Sequence, residues 1–208
     1  MPPKPEPSDS TIDPPRLEPS RTVLLLVDFI NPLDFDGAEQ LSEPALAAAR
    51  AAARLRREAD AAGVQTVYAN DNYGVWRADF AHLWRRCSAG QGASAAMANE
   101  LEPRERDFTI LKPRHSAFYA TPLHLLLQQL RCRRLVLTGL AADSCLLFTA
   151  MDAYLRGYSL WVPADCTASE DDAERDHALG HMARVMKADI DPSDAWPRLL
   201  QTPGEGSA

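Results

Sequence analysis

The sequence predicts an α/β fold, a doubly wound and mostly parallel sheet with helices on both faces. Three observations carry this. Short apolar runs of β type alternate with helical patterns along nearly the whole chain. The first run, Val23 to Val27, is continuously aliphatic, the pattern of a central strand covered on both faces. From Leu135 to Tyr158 a strand, a tight turn at Gly139 and a helix follow each other with almost no linker. With 208 residues, 46% of them hydrophobic and 25% charged, the chain suits one soluble domain.

Residues 1–20 hold seven of the sixteen prolines, with Ser, Asp and Glu between them. Such a stretch is expected to be a disordered tail, with a docking arm on a partner subunit as the alternative. The folded domain is expected over 21–190. Its first strand ends at Asp28, and Asn31-Pro32 then turns the chain away. Ser42, Pro44 and Gly63 bracket a helix to about Ala62, whose apolar stripe runs through Leu41, Ala45, Ala48, Ala52, Leu55, Ala59 and Ala62. Val64 to Ala69 predicts the next strand, left through the polar loop Asn70-Asp71-Asn72-Tyr73-Gly74. Helices are expected from Trp76 to about Cys87 and from Ala95 to Leu101, then a strand from Phe108 to Leu111 with Lys112 at its exit. Thr121-Pro122 opens a Leu-rich helix. The strand Leu135–Thr138 leads into a helix from Asp143 to Arg156, apolar nearly all round and so expected to be deeply buried, partly in a subunit interface. A strand from Tyr158 to Val162, a helix started by Ser169 with Asp172, and a last short strand at Ala188–Ile190 complete the domain. Residues 191–208 read as a loose end.

Charge and motif content exclude several classes. A net charge of −7 with no offsetting basic cluster argues against a nucleic-acid surface. Cys87, Cys132, Cys145 and Cys166 have no C-x-x-C spacing and no secretory leader ahead of them, so reduced thiols in a cytoplasmic protein are expected. No apolar run approaches the ~20 residues of a membrane span. Neither G-x-G-x-x-G nor G-x-x-x-x-G-K-[ST] occurs, and no cofactor is expected. His177 and His181 stand four apart on a late helix, a spacing better explained by a solvated face than by a metal.

Three strand exits carry a carboxylate, an ammonium and a thiol: Asp28, Lys112 and Cys145. Exits of a parallel sheet share one edge, so residues far apart in sequence can converge there. Cys145 also falls in the first turn of a helix, a setting that favours a thiolate and supplies backbone N–H donors. Two of them have a plainer reading: a turn or capping aspartate at 28, a small buried hydrophobe at 145. Together they permit a coherent chemistry. Aspartate takes the thiol proton, lysine steadies the charges, and the helix start holds an oxyanion.

The segments L-L-L-V-D-F-I-N at the first strand, L-K-P-R-H-S-A-F around Lys112, T-G-L-A-A-D-S-C-L-L-F-T-A-M-D-A-Y-L-R-G-Y and D-C-T-A-S resemble the isochorismatase-like cysteine hydrolases, from about Arg21 to Ser169. The resemblance implies a six-stranded sheet and an Asp28–Lys112–Cys145 catalytic triad. It also implies a cis peptide at Leu140–Ala141, with the backbone N–H groups of Ala141 and Cys145 as the oxyanion hole. True isochorismatases generally lack the cysteine. Nicotinamidases resemble the chain at the triad but carry an Asp-x-His motif and a further His as metal ligands; here the stretch from Asn70 to Trp76 has no histidine, and no metal is expected. The resulting expectation is a metal-independent hydrolase of a C–N bond in a small amide, carbamoyl or imide compound, through a Cys145 thioester released by water activated at Asp28. Asn70, Asn72, Trp76, Phe29 and Phe118 are the expected substrate-binding residues, and a homo-oligomer, dimer or tetramer, is the expected assembly. A thiol-independent hydrolase of the isochorismatase type, a nicotinamidase-like amidase and an inactive binding protein are the alternatives.

Overall fold

A computed structural model describes residues 17–77 and 79–197. Six strands form one parallel sheet: β1 (Thr22–Val27), β2 (Gln65–Asp71), β3 (Phe108–Lys112), β4 (Arg134–Leu140), β5 (Ser159–Trp161) and β6 (Thr167–Ala168). Their order is β3-β2-β1-β4-β5, with β6 pairing β4 beyond the end of β5. The chain therefore winds one way from β1 and then the other way from β4. That reversal opens a crevice at the carboxyl ends of β1 and β4.

Period-two alternation sorts the aliphatic run of β1 onto two faces. Leu24 and Leu26 enter one core with Tyr68, Val136 and Trp161, beneath α1 (Ala38–Ala61), α2 (Phe80–Ser88) and α3 (Gly92–Glu100). Val23, Leu25 and Val27 enter the other with Val67, Ala69, Ile110, Leu135 and Leu137, beneath α4 (Leu123–Gln129), α5 (Leu147–Leu155) and α6 (Asp172–Met186). Of the stripe expected on α1, Leu41, Ala45, Ala48, Ala52, Leu55 and Ala59 lie in the core, whereas Ala62 is the exposed C-cap, where the helix has ended. The helix begins earlier, however, at Ala38, so Ser42 bonds the Ala38 carbonyl rather than capping and Pro44 lies inside it.

Other boundaries also move. Trp76 lies outside α2, which starts at Phe80 with Asp79 accepting the His82 N–H. Asp171, not Ser169, caps α6 by accepting from Ala173 and Glu174. The sixth strand is Thr167–Ala168, whereas residues 188–190 contribute one bridge, Trp161 to Asp189. Both expected loose ends are partly anchored. Ser20 is buried and donates to the Leu130 carbonyl, and Trp196 is buried with its ring stacked on Trp161 at 5.9 Å. The rest of the expected tail (1–16) and of the C-terminal end (198–208) lies outside the described residues. The α5 helix is less buried than its composition predicts: Phe148, Tyr154 and Leu155 are exposed. Its apolar residues exceed what one sheet face can cover. No helix among the described residues is long and apolar enough to cross a membrane.

Candidate active site

Asp28 leaves β1 with a φ of 53°, a left-handed turn that an aspartate tolerates better than most residues. Its N–H still continues the ladder to the Ala69 carbonyl, while its carboxylate Oδ1 accepts the Asp71 N–H at 2.7 Å. The ends of β1 and β2 are thereby tied. In β3, Lys112 falls on the same face as Ile110 and beside Asp71, its register partner in β2. Its Nζ lies 2.8 Å from Asp28 Oδ2 and 3.6 Å from Asp71 Oδ2, and the side chain is fully buried.

Gly139 is not the expected turn but lies inside β4, paired with Val27 and Thr167; its φ of 139° excludes a side chain, and a Cβ there would overlap the Val27 carbonyl. A π-helical turn, Ala142–Leu146, then precedes α5 in place of an ordinary first turn. Ser169 pins it, accepting the Ala142 N–H at 3.1 Å and donating to Asp143 at 2.5 Å. The wider turn carries Cys145, whose Sγ is 3.4 Å from Lys112 Nζ, the same ammonium that pairs with Asp28. The cis peptide expected at Leu140–Ala141 is absent, as are cis bonds among all the described residues.

Burial dominates the electrostatics. It holds the Asp28 carboxyl above the usual carboxylate range, with the Lys112 ammonium opposing. For Lys112, burial favours the neutral amine, but Asp28, Cys145 and Asp71 outweigh it and keep the ammonium above its ordinary value. Desolvation pushes the Cys145 thiol up to about 12, with the Asp28 carboxylate adding to the effect and Lys112 opposing. The thiolate expected from a helix start is thus overridden, and the resting sulfur is a thiol.

Of the expected substrate-binding residues, the crevice gathers only part. Asn72 and Trp76 belong to the loop beside it, where Asn72 donates its N–H to the Lys112 carbonyl and Trp76 is 80% exposed. Asn70 is fully buried on the opposite face of the sheet, its Nδ2 donating to the Ile30 carbonyl at 3.0 Å. β2 runs on to Asp71 rather than stopping at Ala69, so alternation turns Asn70 toward α1 and Asp71 toward Lys112. Phe29 is fully buried in the core beneath α1–α3. Phe118 is buried with its ring against Tyr158 and under Arg156. Three neighbours of the site escaped the sequence reading: Asp71 as a partner of Lys112, Tyr73, and His115. The signal for His115 was its position three residues past Lys112.

These donors do not fit a metal. Asp71 offers one carboxylate, beside the Lys112 ammonium and bonded by the Tyr73 N–H, and Asn72 Oδ1 is taken by the Gly74 N–H. No group of three His, Cys, Asp or Glu side chains suited to an ion occurs among the described residues.

The Isochorismatase domain family matches residues 22–190. The chain belongs to the isochorismatase family. The isochorismatase family protein YaaI of Bacillus subtilis, itself uncharacterised, is 38% identical over 167 residues, 80% of this chain and 91% of that protein. Ureidoacrylate amidohydrolase RutB of Methylorubrum extorquens is 42% identical over 72 residues, 35% of this chain but only 29% of RutB. Among solved structures, N-carbamoylsarcosine amidase from Thermoplasma acidophilum aligns with a TM-score of 0.64 and 27% identity, covering 84% of this chain and 97% of that one. Pyrazinamidase/nicotinamidase from Streptococcus mutans aligns with 0.63 and 28%, covering 81% and 99%. This isochorismatase-family chain is accordingly a hydrolase with amidase-type relatives.

Proposed function

We propose that the protein hydrolyses a C–N bond of a small amide, carbamoyl or imide compound through a thioester on Cys145. The observation that carries this reading is the convergence of three strand exits on one point, with Lys112 Nζ 2.8 Å from the Asp28 carboxylate and 3.4 Å from Cys145 Sγ. Asp28 is the base. Its raised proton affinity suits it to take the proton of a thiol that is itself hard to ionise, in step with attack on the carbonyl carbon. Lys112 keeps the carboxylate ionised beforehand and steadies the developing thiolate. As the C–N bond breaks, Asp28 returns the proton to the departing nitrogen, and water then releases the acid from sulfur. The Cys145 N–H is the proposed oxyanion donor; with a trans bond at Leu140–Ala141, Ala141 has no comparable support in that role. Asn72 and Trp76, on the exposed loop, are the proposed substrate contacts. The amidase relatives favour a nitrogen leaving group over a vinyl ether.

The test is a panel of small amides, ureas and imides assayed for ammonia or amine release, with mass spectrometry of the protein during turnover. A thioester adduct on Cys145, absent in Cys145→Ala, is the expected result. Undiminished turnover by Cys145→Ala would replace this reading with the thiol-independent one.

A further inference from the structure

On the solvent side of Cys145 stands a group the triad does not use. His115 Nδ1 lies 3.6 Å from Cys145 Sγ and 3.4 Å from Ser144 Oγ. Thiol and hydroxyl can both donate, so an Nδ1 facing the two is best satisfied as an acceptor, which assigns the ring proton to Nε2. The ring is not free to wander. It stacks on Phe148, with centroids 5.4 Å apart and planes 24° from parallel. Its loop is clamped to α5, where Thr149 Oγ1 accepts the Ala117 N–H at 3.0 Å and Ser116 donates to Asp152 at 2.5 Å. Thr149 in turn donates to the Cys145 carbonyl at 2.7 Å, so the same side chain holds both the loop and the cysteine.

Access separates His115 from Asp28. Asp28 is 5% exposed, with one carboxylate oxygen engaged by the Asp71 N–H and the other by Lys112. His115 is exposed. Of the two, the imidazole is the group beside the sulfur that is open to water.

We propose that His115 is a further catalytic residue, the base that activates water for hydrolysis of the Cys145 thioester. The proposal rests on the covalent route above and deepens it. The water oxygen bonds to the thioester carbonyl carbon while its proton passes to Nδ1. When the C–S bond breaks, sulfur takes that proton back from Nδ1, the acid departs, and both residues return to their resting forms. No further reactant is required. The other charged groups facing sulfur are Asp28 from β1 and Lys112 from β3, with Asp71 of β2 behind the ammonium. Asp143, on the cysteine's own turn, is held by Ser169.

The probe is p-nitrophenyl acetate, which acylates a thiol without requiring knowledge of the natural amide. In the parent protein a burst of p-nitrophenolate and an acetyl adduct on Cys145 are expected, followed by steady release. In His115→Gln, the burst should keep its size while the adduct decays about 10²-fold more slowly, the lower end of what general base catalysis contributes. His115 is exposed, so circular dichroism of the variant should match the parent. An adduct decaying at the same rate in both proteins overturns the role of His115 alone. No burst and no adduct in the parent overturns the covalent route, and this role with it.

Discussion

Replacing Lys112 with methionine tests the electrostatic core of the site most directly. The side chain is fully buried, its Nζ is 2.8 Å from an Asp28 that is 5% exposed, and methionine has nearly the same length. Little packing is lost, but the aspartate loses its counter-charge. Removing one partner of a buried ion pair costs about 3–5 kcal/mol. In a domain of this size each kcal/mol lowers Tm by about 2–4 °C, so a fall of about 6–20 °C is expected near neutral pH. The loss should itself depend on pH. Burial already raises Asp28 and only Lys112 opposes it strongly, so without Lys112 the carboxyl takes up a proton more readily. Acidification then relieves the buried charge, and the gap between parent and variant should narrow by up to about 1.4 kcal/mol per pH unit. Urea unfolding of both proteins between pH 5 and 8 measures this. The Asp28→Asn/Lys112→Met double variant, which removes the buried charge at 28 and leaves only the part-exposed Asp71 without its ammonium, should regain most of the lost stability. A single variant within about 2 °C of the parent, or a gap that widens on acidification, would refute the reasoning.

Other expectations concern the thiol, the turn and pH. Cys145→Ala and Asp28→Asn should each abolish turnover on whichever amide is found, while Cys145→Ala melts close to the parent; a panel assay with parallel thermal unfolding checks both. Cys87, Cys132 and Cys166 are buried, so Cys145 should label first with iodoacetamide. With its thiol pushed up to about 12, labelling should accelerate about tenfold per pH unit through neutrality without a plateau; a plateau below pH 8 would contradict the burial argument. The native protein holds the Cys145 proton above the ordinary thiol range near 9, so between pH 9 and about 12 it binds more protons than the unfolded chain and loses stability as pH rises. Cys145→Ala should flatten that part of the stability curve. The acid limb of kcat/KM should fall above the ordinary carboxylate range, because Asp28 must be ionised to act as base. Gly139→Ala should destabilise by more than about 3 kcal/mol or prevent folding, since a methyl would meet the Val27 carbonyl at a φ of 139°; an unfolding midpoint close to the parent's would count against the close approach.

What the sequence determined by itself is local and periodic. A continuous aliphatic run in β1 and a stripe at helical spacing in α1 each follow from the residues on the spot, because burial on two faces or one selects them. The charged and nucleophilic residues at the exits were legible for the same reason: exits of a parallel sheet share an edge whatever the strand order. Strand ends were not legible, since they depend on hydrogen bonds offered by the neighbouring strand. β2 continues to Asp71 because β3 pairs with it that far, and that extension alone sends Asn70 into the core and Asp71 to Lys112. Proton affinities are equally non-local. The helix-start argument for a thiolate at Cys145 is sound in isolation, but desolvation and the Asp28 carboxylate act through space and reverse its direction. His115 reaches the sulfur only because Thr149 and Asp152 of α5 clamp the loop that carries it, and Trp196 is anchored only because Trp161 lies where its ring can stack. Pattern reports which face a residue prefers; which partner waits on that face is decided by the packed chain.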